Sequence, residues 1–154
     1  MKKYSAMLLL MTASISSVSA WARPMSSEDI ENLDNATHKL EKTLFNLGNA
    51  NYSVKEPVKQ SVCESINQLN NLGNDLIMEK SVPDETSRIS LRKLIEFSQA
   101  TEKLLNYCDA ASSQHVTRYA LSQGSLQLMR TEVYPALTAF EKTFSYSIKT
   151  ASRN

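Results

Sequence analysis

The 154-residue sequence predicts an all-α fold, specifically an antiparallel four-helix bundle with one disulfide. Three observations lead to this prediction. Apolar residues recur at spacings of three and four, which is the period of a helix that buries one face. No segment shows the alternation that is typical of a half-buried strand. The predicted helices are joined by short connections, which favour antiparallel neighbours.

The first helix is predicted from an apolar stripe between Ile30 and Leu47. Ser26 and Asp29 provide an N-terminal cap and an acid in the first turn. Gly48 follows the stripe, at the position where helices often end on a residue with a left-handed backbone. The stripe consists of Ile30, Leu33, Thr37, Leu40, Leu44 and Leu47.

The second helix is predicted to begin at the capping box Ser53-Val54-Lys55-Glu56. In this motif the serine and the glutamate each bond the backbone N–H of the other residue. Pro57 is tolerated in the first turn, because an N–H there has no partner within the helix. The stripe consists of Val58, Val62, Ile66, Leu69, Leu72, Leu76 and Ile77.

The third helix is predicted to begin after Val82-Pro83, with Asp84 as its cap, and the fourth helix follows the third. Pro135 lies inside the fourth stripe, and we expect a kink or a split near it because proline lacks the N–H that a helix interior needs. The third stripe is Leu94, Phe97, Thr101, Leu104 and Cys108, widened by Leu91, Ile95 and Leu105. The fourth is Val116, Tyr119, Leu126, Met129, Val133, Leu137, Phe140, Phe144 and Ile148.

The two cysteines, Cys63 and Cys108, are predicted to form a disulfide between the second and third helices. Their midpoint lies close to the predicted turn, so an antiparallel hairpin would bring them to the same level. In an oxidising compartment such a bond is expected to stabilise the fold by about 4 kcal/mol, given a loop of about 45 residues.

The first twenty residues are predicted to be a secretory signal peptide. Lys2 and Lys3 precede a short apolar run, and small residues then lead to a cleavage site after Ala20 or, alternatively, after Ala22. The apolar run is too short to span a bilayer. We therefore expect one helical domain, residues 21–154, in the periplasm or the medium of a bacterium and not embedded in a membrane.

Charge and motif content narrow the function classes. The 17 basic and 16 acidic residues leave no strongly basic surface, which argues against binding to nucleic acid. The sequence has no Gly-x-Ser-x-Gly motif and no phosphate-binding glycine loop, so we expect no enzymatic activity and no cofactor. The weak candidates for a metal site are Asp34, His38 and Glu41, which share one face of the first helix.

Two uncharged stretches, residues 65–74 and 119–129, are candidates for a binding surface. Uncharged polar groups cost less to desolvate than charged ones, and charge depletion marks the centres of protein interfaces. Alternatively, the stretches pack against each other inside the bundle, where Gly73 and Gly124 would permit close approach. The candidate surface residues are Asn67, Asn70, Asn71, Asn74 and Gln127, with Tyr134 and Tyr146 as possible anchors.

The sequence therefore favours an exported, non-enzymatic protein-binding bundle whose partner is another exported or envelope protein. Such a protein would be an immunity or inhibitor protein, or an accessory of a secretion or surface apparatus. The alternative is a small-ligand bundle that holds non-covalent haem, a metal or a lipid-like molecule. For haem, the available axial ligands would be His38, His115 and Met129.

Overall fold

The computed structural model describes residues 25–49, 57–79, 85–113 and 116–151 of the chain. Within these ranges the chain is helical and has no β-strand, which confirms the all-α class. The predicted signal peptide, capping box and Val82–Asp84 turn lie outside the described ranges, as does His115. The elements are α1 (Ser27–Asn49), α2 (Pro57–Glu79), α3 (Glu85–Ser113), α4 (Arg118–Leu128), a π-helical turn (Met129–Val133) and α5 (Tyr134–Ala151).

The ends of α1 show one prediction confirmed and one wrong. The Asp29 carboxylate accepts from the Ser26 backbone N–H at 2.7 Å, and the Asp29 N–H donates to the Ser26 hydroxyl at 3.3 Å. This pair caps the helix as predicted. Gly48, however, lies inside the last turn of α1 rather than after it. A Cβ atom there would stand 2.5 Å from the Ser122 Oγ atom, so this glycine permits the close approach of α4.

The fourth predicted helix contains a π-helical turn that ends two residues before Pro135. The Tyr134 N–H bonds the carbonyl of Met129, five residues back, instead of four. Because proline has no backbone N–H, a helix that contains one leaves a preceding carbonyl without a donor. A π-helical turn changes which carbonyl this is. The interruption predicted from Pro135 takes this form in the structure, with α4 and α5 on its two sides.

Most of the described residues of the predicted stripes are buried or half-buried, with Ile95 and Tyr119 as exceptions. The Ile95 side chain is 37% exposed. The Tyr119 side chain is 64% exposed, and Leu121, about 200° further around the helix, is buried in its place. The fully buried side chains of greatest volume come from every helix: Leu33, Leu44, Val62, Ile66, Leu69, Leu94, Phe97, Leu104, Leu121, Met129, Leu137 and Phe140.

The contact between α2 and α3 combines a disulfide with a polar network. Cys63 and Cys108 are bonded with their Cα atoms 5.9 Å apart, which confirms the predicted pairing. About two turns away, the Asn70 amide donates to the Thr101 hydroxyl at 2.9 Å and to the Ser98 carbonyl at 3.1 Å. The Asn74 amide donates to the Asn70 side-chain oxygen, and the Ser98 hydroxyl donates to the Asn74 oxygen.

Candidate functional site

A surface groove runs between α1 and the segment formed by α4 and the π-helical turn. It encloses about 270 Å³ and opens to solvent. This volume lies below the roughly 300–1,000 Å³ of sites that enclose a small molecule. The groove therefore suits a side chain inserted by a partner better than an enclosed ligand. Its lining residues are His38, Glu41, Lys42, Phe45, Leu126 and Arg130.

The apolar part of the groove is formed by Phe45 and Leu126. Phe45 follows the buried Leu44, and one step along a helix turns a side chain by about 100°, out of the core. Its ring is 59% exposed, whereas Leu126 is buried. An exposed phenylalanine beside a buried leucine offers apolar area that a partner could cover.

Two cations line the same groove. Lys42 and Arg130 are both exposed, and neither has an ion-pair partner among the described residues. Residues 42–49 and 118–131 contain no Asp or Glu, so this half of the α1–α4 face has only positive charge. An anionic group that entered the groove would meet no competing carboxylate from these two segments.

At the other end of the groove, Tyr134 joins His38 and Glu41. The Tyr134 hydroxyl donates to the Glu41 carboxylate at 2.6 Å and lies 2.8 Å from the His38 Nδ1 atom. Because the hydroxyl has one proton and uses it in the hydrogen bond to Glu41, it accepts a hydrogen bond from the Nδ1–H of His38. The three side chains thus form a chain of hydrogen bonds that ties α1 to the start of α5.

Two pKa shifts mark this region. Burial, followed by the hydrogen bond to Glu41 and the charges of Glu41 and Asp34, raises the pKa of Tyr134 well above its ordinary value of 10.0, so the hydroxyl stays protonated. Burial also raises the pKa of Glu141, with a further increase from Asp34 and an opposing effect of His38. Carboxylates therefore dominate the field at this end of the α1–α5 contact.

The weak metal candidates contact one another or Tyr134. The His38 Nε2 atom lies 3.6 Å from Asp34, and the Tyr134 hydroxyl is bonded to both His38 and Glu41. In the part of the chain that the structure describes, no three His, Cys, Asp or Glu side chains are grouped for a metal ion. Met129, a potential haem ligand by sequence, is fully buried in the core, while His38 is exposed at the surface.

The predicted surface residues do not form one patch. Asn70 is only 7% exposed and belongs to the α2–α3 contact, so it is withdrawn from the candidate surface. Asn74 is exposed, but its side chain bonds Ser98 and Asn70 in that same contact. Tyr134 is half-buried and bonded to α1. Asn67, Asn71 and Gln127 are exposed, and the side chain of Tyr146 lies outside the described part of the chain.

The two uncharged stretches also do not pack mainly on each other. The stretch on α2 contacts α3, where Gly73 lies against the Phe97 ring. On α4, Ser122 donates to the Leu44 carbonyl of α1, and Gly124 lies against the Tyr107 ring of α3. Each stretch is therefore used in a contact with another helix of the chain.

The sequence prediction missed the groove residues Lys42, Phe45 and Arg130. Phe45 carried a usable signal, because it is an aromatic residue one position away from the apolar stripe of its helix. The two cations carried none, since isolated Lys and Arg residues are usual on exposed helix faces. Only the packing of α4 against α1 shows that all three line one groove.

No described helix combines the length and the apolar character that crossing a membrane requires. Comparison of the chain with protein-family models, with curated proteins and with solved structures gives no significant match in any of the three.

Proposed function

We propose that this protein is an exported, non-enzymatic helical bundle that binds another exported or envelope protein. The binding surface is the α1–α4 groove, where Phe45 is exposed beside two cations that have no ion-pair partner among the described residues. Aromatic and arginine side chains dominate the energetics of protein interfaces when a partner buries them. This groove is the main observation that supports the proposal. The protein would hold or block its partner and would thus be an immunity protein, an inhibitor or an accessory of a secretion or surface apparatus.

The proposed framework is an antiparallel four-helix bundle in which α4 and α5 together act as the fourth helix. Seven residues forward along α2, from Cys63 to Asn70, correspond to seven residues backward along α3, from Cys108 to Thr101. Other helix pairs support the same arrangement. Contacts of Leu44 with Ser122 and of Glu41 with Tyr134 link α1 to α4 and α5, and Lys103 with Glu132 and Tyr107 with Ala120 link α3 to the same segment.

Export is supported by the N-terminal sequence and by the disulfide. Disulfides persist in the periplasm and outside the cell, whereas cytosolic thiols are kept reduced. Two lysines, an apolar run and small residues precede Ala20 in the order of a signal peptide. Mass spectrometry of the secreted protein would show a mature N-terminus at Trp21 or Arg23, and an intact Met1 would contradict export by this route.

The non-enzymatic part of the proposal rests on how the polar side chains at the groove are used. His38, Tyr134 and Glu41 bond one another and hold α1 against α5. The Tyr134 hydroxyl, whose pKa is raised, is a poor nucleophile because it remains protonated. These residues therefore serve as a rigid wall of a binding surface.

The proposal is tested by affinity capture with matched variants. The bait is the wild-type protein, Phe45→Ala or Ile89→Ala, and quantitative mass spectrometry identifies the proteins captured from a periplasmic or secreted extract. Ile89 is a suitable control because its side chain is also large, apolar and exposed, at 45%, but lies on α3 outside the groove. We expect a protein that wild type and Ile89→Ala retain and that Phe45→Ala loses. Equal capture by all three baits would contradict the proposed surface.

A further inference from the structure

We propose that the α1–α4 groove recognises a segment of the partner in which a carboxylate lies beside a large apolar side chain. This inference rests on the proposed function and specifies the chemistry of the partner. It concerns the half of the groove that is formed by Lys42, Phe45, Leu126 and Arg130.

Charge defines the anionic part of the ligand. Lys42 comes from α1 and Arg130 from the π-helical turn, so each wall of the groove supplies one cation. Neither cation is neutralised by another described residue. Glu41, the carboxylate in the lining, accepts a hydrogen bond from the Tyr134 hydroxyl at the His38 end. A carboxylate from the partner thus fits best at the Lys42–Arg130 end, where it can form charge-assisted hydrogen bonds.

The apolar part of the ligand follows from Phe45 and Leu126. Covering the exposed Phe45 ring removes apolar area from water, which favours binding in proportion to that area. The groove volume of about 270 Å³ leaves room for a large side chain but not for a folded element. The segment that fits therefore has an aromatic or large aliphatic residue a few positions from an Asp, a Glu or its own C-terminal carboxylate.

The rim of the groove along α4 has no carboxylate. Residues 119–129 are uncharged, and Gln127 is exposed there, while Glu132 of the π-helical turn pairs with Lys103 of α3. Uncharged polar side chains at a rim cost less free energy to desolvate than Lys or Glu. They can also form hydrogen bonds with the backbone of a bound segment. This rim accepts an extended acidic segment without a like-charge penalty.

The test uses a phage-displayed library of random 12-residue peptides, selected on the purified disulfide-bonded protein. Enriched peptides are synthesised, and their binding is measured by fluorescence anisotropy. The groove variant is Lys42→Glu with Arg130→Glu, and the control is Arg92→Glu with Lys142→Glu, which changes the net charge equally at exposed positions outside the groove. Circular dichroism melting curves establish that both variants fold.

We expect enriched peptides that pair a carboxylate with a large apolar residue. Their binding should weaken at least tenfold in the groove variant and less than twofold in the control, and 500 mM NaCl should also weaken it. Absence of enrichment, peptides without carboxylates, or equal binding to both variants would overturn the inference. If the peptide test fails but capture of the partner still depends on Phe45, only the chemistry assigned to the ligand is wrong. If capture does not depend on Phe45 either, the proposed function is wrong as well.

Discussion

At the scale of single residues, Asn70 shows why an asparagine-rich helix is compatible with a packed core. Asparagine is a poor residue for a helix interior, because its side chain competes for backbone hydrogen bonds. Here the buried amide donates twice to α3 and its oxygen accepts from Asn74. A buried polar group that is satisfied in this way favours one alignment of two helices, since a shifted alignment would leave it without partners.

We expect Asn70→Ala to lower the free energy of unfolding by about 1–3 kcal/mol, because the change leaves buried partners on α3 less well bonded. The control is Asn71→Ala, one position along on the exposed side of the same helix. There alanine should be neutral or slightly stabilising, since its helix propensity is higher. Urea denaturation followed by circular dichroism measures both effects, and equal losses from the two variants would contradict the role of the polar network.

Glu141 leads to a pH-dependent prediction. Burial, and then the charge of Asp34, raise the pKa of this carboxyl in the folded protein. Such a group binds its proton more tightly when folded, so stability is lost as the pH rises from the unfolded pKa through the folded pKa. We expect Glu141→Gln to stabilise the protein by on the order of 0.5 kcal/mol at about pH 7, and to have no such effect at about pH 3, below the ordinary pKa of glutamate. Denaturation curves at both pH values test this, and a destabilised variant at neutral pH would contradict it.

At the scale of helices, spacing alone identifies most of the core. Residues such as Leu33, Ile66, Leu104 and Phe140 are fully buried at positions predicted by the three-and-four period. That period depends on local geometry, so it can be recognised without knowing the neighbours. The error at Tyr119 arises because the period does not determine the phase of a stripe near a helix end, where Leu121 is buried instead.

The groove could not be predicted in the same way. Phe45 and Arg130 are 85 positions apart in the sequence, and they line one groove only because α4 packs on α1. That packing is close because Gly48 has no Cβ atom where Ser122 approaches. The sequence suggested instead that Gly48 ends the helix, since a glycine after an apolar stripe is typical of both situations. Which one applies depends on a neighbour that helical periodicity does not identify.

The disulfide gives a prediction at the helix scale. Reduction of the bond between Cys63 and Cys108 should lower the free energy of unfolding by about 4 kcal/mol. The reason is that the unfolded chain gains conformational freedom when the bond no longer closes a loop of 45 residues. Guanidinium denaturation with and without a reductant measures the loss. The double variant Cys63→Ala with Cys108→Ala should lose a similar amount without reductant. Two reactive thiols in the unfolded, unreduced protein would show that the bond does not form.

At the scale of the whole molecule, charge is distributed unevenly along the α1–α4–α5 face. Lys42 and Arg130 stand without ion-pair partners among the described residues at one end, while Asp34, Glu41 and Glu141 influence the other. The buried side chains behind this face and the disulfide between α2 and α3 keep its side chains in fixed relative positions. A rigid surface binds with a smaller loss of conformational entropy than a flexible one, which suits a protein whose role is to hold or block a partner.

The most direct test of this account is photo-crosslinking in living cells of the producing organism. A photoreactive phenylalanine analogue replaces Phe45 in one strain and Ile89 in another, so that the probe samples the groove or the surface of α3. We expect a discrete crosslinked product of the protein with another exported protein from position 45 and none from position 89. No product from position 45, or the same product from both positions, would contradict the claim that the groove is the binding surface.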